Sequence, residues 1–174
     1  LSLHDALPIS IGRTFGESLQ KALRGLETGR WGFGNVPGKA HCKPEELTAE
    51  AIRPHLATPR ADRIDWVRAA FLAGMTVGEI HDYSKIDPWF LENIRQIVAR
   101  EGELAAAGGL DALSSPDLRL AKQWGFSDHR LATLLGTKEK AVRDRRRRDG
   151  ILPVYKMVDT CAAEFTAYTP YLYS

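Results

Sequence analysis

KIDPWFLENIRQIVAREGELAAAG, residues 85–108, decides the fold class. Asp87 stands directly before Pro88, and that pair predicts a helix start. The carboxylate can accept from the free amides of a first turn, where the missing N–H of proline is no loss. Downstream, Leu91, Ile94, Ile97 or Val98, and Leu104 recur at three- and four-residue intervals, which makes one buried stripe of an amphipathic helix. Gly108 and Gly109 end it, because glycine enters left-handed backbone angles freely.

Moving toward the amino end, TVGEIHDYSK repeats the start signal in another form. Thr76 and Glu79 have capping-box spacing, and the short helix they open packs Val77, Ile80 and Tyr83 inward and stops near Ser84. Residues 62–73 place Ile64, Val67, Ala70 and Phe71 on one stripe, with Gly74 as the stop. A helix over 45–56 carries Pro54, which should bend or end it. Residues 30–44 are broken by glycine and proline and read as a loop at a domain boundary. Before that loop, Thr14 and Glu17 cap a helix with Phe15, Leu19, Leu23 and Leu26 on one side and Gly29 as its stop.

Toward the carboxyl end, Ser115-Pro116 opens a helix through Leu118, Leu120, Ala121 and Trp124 to Gly125. Ser127 starts a short helix ending at Gly136, and Thr137 starts the last, which runs toward Asp149. After Gly150 the helical period is lost. ILPVYKMVDTCAAEFTAYTPYLYS is rich in β-branched and aromatic residues and reads as an extended linker leading elsewhere.

Composition narrows the functional classes. At 174 residues the chain can hold one domain with a real core and pieces of its neighbours. No apolar run approaches the roughly 20 residues that span a bilayer, so a membrane role is not expected. A net charge of +2 creates no global field of the kind that draws nucleic acid, although Arg145, Arg146, Arg147 and Arg148 form one local basic run. Cys42 and Cys161 are far apart and outside any CxxC pairing, which argues against zinc or a disulfide scaffold and fits a reducing, cytoplasmic setting. The first ten residues, LSLHDALPIS, lead into no element and read as a non-native leader, and with no initiator Met the chain looks cut at both ends.

Three strings carry a family likeness: IGRTFGESLQKALRGLETG at 11–29, KIDPWFLENI at 85–94, and VYKMVDTCAAEF followed by TPYLYS within 154–174. In order and spacing they resemble the carbamoyl phosphate synthetase large chain, over essentially everything from Ile11 onward. The resemblance implies two homologous ATP-grasp halves flanking a central helical region, with this sequence running from the last helix of the first half through that region. It further implies a parent that makes carbamoyl phosphate from bicarbonate, glutamine-derived ammonia and ATP, for arginine and pyrimidine synthesis. The parent's ATP, its Mg or Mn, and the glutaminase small chain come by resemblance only. The nucleotide- and metal-binding residues of that family lie outside this stretch, so no catalytic, cofactor-binding or metal residue is assigned and the fragment alone should be inactive. Two departures, Gly34-Asn35-Val36-Pro37 and Met157 where a basic residue is usual, touch local contacts only.

Other signals in the sequence admit a rival functional reading. SDHRLATLLGTKEKAVRDRRRRDGI, centred on 127–150, has helix-turn-helix spacing and is the alternative, a DNA-binding module. An arginine-rich last turn also opposes the negative end of a helix dipole, and such runs are more often solvated or ion-pairing faces. His41, His55, His81 and His129 share no ligand spacing, and His81-Asp82 as an acid–base pair ranks below a surface or capping histidine. Cys161 has no neighbouring base and reads as a small buried packing residue. Trp66, Trp89 and Trp124 sit in predicted helices, where aromatics serve a core or an interface, with Trp89 beside the start of its helix. GRWGFG at 29–34 lacks both the Lys-Ser or Lys-Thr ending and the preceding strand of a phosphate loop.

The resulting expectation is an all-α bundle of about seven short helices with an extended C-terminal linker. Residues 1–10 are the leader, 11–30 the last helix of the first ATP-grasp half, 40–150 the helical oligomerisation domain, and 151–174 the linker toward the second half. The expected partners are those flanking halves, the glutaminase small chain and a second copy of the chain, with no nucleic acid and no membrane.

Overall fold

The computed structural model describes residues 10–34, 48–162, 164–166 and 171–174. It is predominantly α-helical: α1 (Phe15–Gly25), α2 (Ala49–Ala57), α3 (Arg63–Leu72), α4 (Val77–Ser84), α5 (Pro88–Ala106), α6 (Ser115–Gln123), α7 (Asp128–Leu134) and α8 (Glu139–Arg148). Two short strands, β1 (Lys156–Met157) and β2 (Leu172–Tyr173), pair antiparallel with Lys156 opposite Tyr173.

Most helix starts follow side-chain chemistry. Thr76 and Glu79 make the full reciprocal box, Thr48 and Ser127 accept from Ala51 and Arg130 amides, and Asp87 accepts from Trp89 with Pro88 in the first turn. Three starts differ from the expectation. Ser114, not Ser115, caps α6. The last helix is entered at Lys138 with no side-chain cap, so Thr137 does not start it. At α1 the Glu17 amide donates to Thr14, but the Glu17 carboxylate turns back one residue further and accepts from the Arg13 amide at 2.6 Å. That helix also ends at Gly25, with Glu27 in the left-handed region, four residues before the predicted stop at Gly29. Pro54 lies inside α2 without breaking it; the predicted start at residue 45 lies outside the described residues.

The central element is α5. It packs against α3 and α4 on one side and α7 on another, while α1 crosses it; α2 joins α3 and α4, and α8 joins α6 and α7. Its face Leu91, Ile94, Ile97, Val98 and Leu104 is buried, so Ile97 and Val98 both belong to the stripe. Full burial of a side chain such as Ile97 contributes about 1.5–3 kcal/mol. Phe33, Ile52, Leu56, Val67, Ile80, Leu118, Phe126, Leu131 and Val142 complete the core with no exposure. Three predicted inward residues turn outward: Leu26, Tyr83 and Leu120 are exposed, and Tyr83 lies under the Arg53 guanidinium.

The segment after α1 is not a free loop. Phe33 is fully buried, Arg30 grips Asp65 of α3 with paired bonds of 2.7 and 2.5 Å, and Ser127 Oγ donates to the Trp31 carbonyl. The chain after Gly150 is extended as predicted, but it also folds back, since Val158 N–H donates to the Tyr171 carbonyl beside the β1–β2 pair.

One polar group sits in the α5 stripe. Glu101 is 3 % exposed and accepts four hydrogen bonds, from Arg68 on α3 (3.1 and 2.7 Å) and from Arg130 on α7 (3.0 and 2.8 Å). Removing one side of a buried ion pair leaves uncompensated charge and costs about 3–5 kcal/mol. Glu101→Ala is therefore expected to lower unfolding free energy by about that amount. A shift in the urea midpoint corresponding to under ~1 kcal/mol, the size of an exposed pair, would show that Glu101 does not organise the core.

Candidate functional site

Each residue singled out from the sequence has a definite place. His55 stacks on Trp66 with ring centroids 3.6 Å apart, His129 stacks on Trp31 at 4.7 Å, and His81 Nδ1 lies 2.8 Å from the Ile86 carbonyl oxygen. These three histidines thus serve separate local contacts. His41 and Cys42 lie outside the described residues. Among the described residues no three His, Cys, Asp or Glu side chains converge as a metal centre requires.

Cys161 is half-exposed on the folded-back linker, which corrects the buried reading. The described residues 152–162 around it are all exposed or half-exposed, so they form no core to bury it in. Trp66 and Trp124 pack partly buried against the core. Trp89 does lie beside the start of its helix, 58 % exposed, in an aromatic cluster with Phe15 (5.4 Å) and Phe90 (5.0 Å). In GRWGFG the glycines admit a tight approach: a Cβ on Gly34, where φ is +132°, would lie 2.5 Å from Arg130 Nη2.

The arginine run is divided by the helix. Arg145 donates to Asp149 at 2.8 Å and to the Leu110 and Leu113 carbonyls. Arg146 donates to Asp128 at 3.0 Å and to the Ile151 carbonyl. Arg147 and Arg148 face solvent. Half of the basic run is therefore committed to holding α8 in place, which removes the continuous cationic face that the DNA-binding alternative needs.

Asp128 joins three helices, accepting from Lys122 of α6 at 2.7 Å as well as from Arg146 of α8. Burial pushes its carboxyl up, but the hydrogen bonds and charges of Lys122 and Arg146 more than offset that and hold it below the ordinary aspartate range. Burial pushes the Lys122 ammonium down, against the pull of Asp128.

Among the described residues, exposed apolar groups include Trp89 and Phe90 beside Phe15, and the linker residues Leu152, Val154, Tyr155, Met157, Phe165 and Leu172. Such groups rimmed by charge suit contact with other protein surface. No helix among the described residues is long and apolar enough to cross a membrane.

Because the folded-state pKa of Asp128 is depressed, its contribution to stability is present above the unfolded value, about 3.9, and is lost as pH falls through the folded value. Wild-type stability should therefore drop more steeply below pH ~4 than that of Asp128→Asn. Parallel acid profiles of the two proteins in urea unfolding would contradict the assignment.

Comparison with known proteins agrees with this arrangement. Residues 8–150 match the family model described as carbamoyl-phosphate synthetase large chain, oligomerisation domain. Carbamoyl phosphate synthase large chains from Rhodopirellula baltica and Pasteurella multocida are 50% and 51% identical over 166 residues, and that from Archaeoglobus fulgidus is 45% identical over 169. Each alignment covers 95% of this chain and 15% of the relative, so the chain spans about a seventh of the length of the proteins it matches. Over its helical bundle this chain belongs to the carbamoyl phosphate synthetase large chain family, as its oligomerisation domain.

Proposed function

We propose that the bundle acts mechanically, as the self-associating and spacing unit of a cytoplasmic, glutamine-dependent carbamoyl phosphate synthetase. The observation that carries this reading is the match of residues 8–150 to the family's oligomerisation domain. In it, residues 11–30 are the last helix of the first ATP-grasp half, 40–150 the oligomerisation domain proper, and 151–174 the linker toward the second half. The parent makes carbamoyl phosphate from bicarbonate, ammonia released by the glutaminase small chain, and ATP with Mg or Mn, supplying arginine and pyrimidine synthesis.

Physical features support the mechanical role. The Glu101 ion-pair centre and the paired Arg30–Asp65 bonds resist relative movement of α3, α5 and α7. The linker's exposed apolar side chains are suited to burial against a following domain.

Sedimentation velocity of the chain over a rising concentration series should show dimers or higher species. A single monomeric boundary throughout the series would remove self-association from its role. In a coupled assay with bicarbonate and ammonia the chain alone is expected to consume no ATP; turnover would relocate the chemistry into this bundle.

A further inference from the structure

A half-enclosed cavity of about 290 Å³ lies between α1, α6, the start of α8's return segment and the first linker residues. Six cationic side chains line it: Arg13, Lys21, Arg24, Arg119, Lys122 and Arg146; the one carboxylate in its wall is Glu17. Three of the cations are occupied. Lys21 bonds Glu17 at 2.7 Å, the Ile11 carbonyl and the Ser174 carbonyl; Lys122 and Arg146 share Asp128, which stands behind the wall.

Among the described residues the other three have donors to spare. The Arg13 guanidinium donates to the Val154 carbonyl at a long 3.3 Å and lies over the Tyr173 ring. Arg24 and Arg119 have no side-chain hydrogen bond or ion pair among the described residues; Arg24 is half-buried, while Arg13 and Arg119 are exposed at the cavity's edge. Arg24 is not a freely solvated side chain: burial depresses its affinity for a proton, against the distant pull of Asp128. Six cations against one acidic side chain make an excess of positive charge around this cavity, an arrangement that fits an anion site.

We propose that this cavity binds a phosphate group, as inorganic phosphate or a small phosphomonoester. Guanidinium groups present planar, paired donors that match phosphate oxygens, and three of them with spare donors suit a tetrahedral dianion better than a planar monoanion. The volume stands at the lower limit of small-molecule sites, roughly 300 Å³, which favours a bare phosphate or short ester over a nucleotide. A bound phosphate would tie α1, α6 and the linker together, and so couple the bundle to the segments on either side of it. The inference is independent of the self-association reading, and the two can fail separately.

The test is isothermal titration of the 174-residue chain with inorganic phosphate, glycerol phosphate and succinate, at constant ionic strength. Phosphate or glycerol phosphate is expected to bind more tightly than succinate; tighter inorganic phosphate points to the free ion and tighter glycerol phosphate to an ester, and both support the site. Arg24→Ala and Arg119→Ala should each weaken binding ~10-fold or more, the scale of a lost charge-assisted hydrogen bond. Arg24→Lys should recover part of the loss, while Arg143→Ala, on the exposed Glu139 pair away from the cavity, should leave binding unchanged. Succinate binding as tightly as phosphate, no phosphate heat, or equal binding in folded Arg24→Ala and Arg119→Ala would overturn the proposal. Phosphate binding to the chain but not to a whole large chain would assign the cavity to an acidic side chain of the parent and overturn it as well.

Discussion

A carboxylate at 3 % exposure in the apolar stripe of a helix has to be neutralised where it stands, because an isolated buried charge costs far more than a small domain's stability. Glu101 is neutralised by two guanidiniums, one on each oxygen, brought from helices on different sides of α5. Hydrophobic packing alone tolerates small rotations and slides of a helix; paired N–H···O bonds do not. The Arg68–Glu101–Arg130 arrangement therefore fixes how α3 and α7 meet α5, and through them the α2–α4 group and the α6–α8 group. Gly34 belongs to the same constraint, because any side chain there would strike the Arg130 guanidinium.

This centre was hidden in the sequence for a physical reason. Leu91, Ile94, Ile97 and Leu104 announced their helix by periodicity, which is a local property. Glu101 holds a place in that periodicity too, and an acid in an apolar stripe is a signal that could have been read. Its partners stand 33 residues before and 29 after it, and no local spacing rule identifies them among many surface arginines. Caps fared better, since Thr76–Glu79 and Asp87–Pro88 complete their chemistry within one turn. At α6 and α8 the starts expected at Ser115 and Thr137 shift by one residue, to Ser114 and Lys138, because the capping position is set by backbone angles that composition does not encode.

The loop after α1 shows the opposite difficulty. Glycines and prolines between residues 30 and 44 suggested a boundary, because they interrupt every period. Phe33 nevertheless enters the core with no exposure, flanked by Gly32 and Gly34 in conformations other residues rarely adopt. The glycines at 32 and 34 serve close packing as much as chain reversal, so a segment without helical period can still deliver a side chain to the core.

The arginine run carries the same lesson into function. Four consecutive arginines look alike in sequence, yet a helix turns about 100° per residue, so they cannot all share one role. Arg145 and Arg146 are drawn to carbonyls and carboxylates of neighbouring segments, while Arg147 and Arg148 reach solvent. Arg146 then joins Lys122 in compensating Asp128, while Arg24 and Arg119 stand across the adjoining cavity with no hydrogen-bonded partner among the described residues. The cations of the cavity thus come mostly from positions in and just before α1 and in α6, with Arg146 alone drawn from the conspicuous run. A binding surface assembled from separate elements responds to how those elements are held, which joins the electrostatics of the cavity to the mechanical role of the bundle.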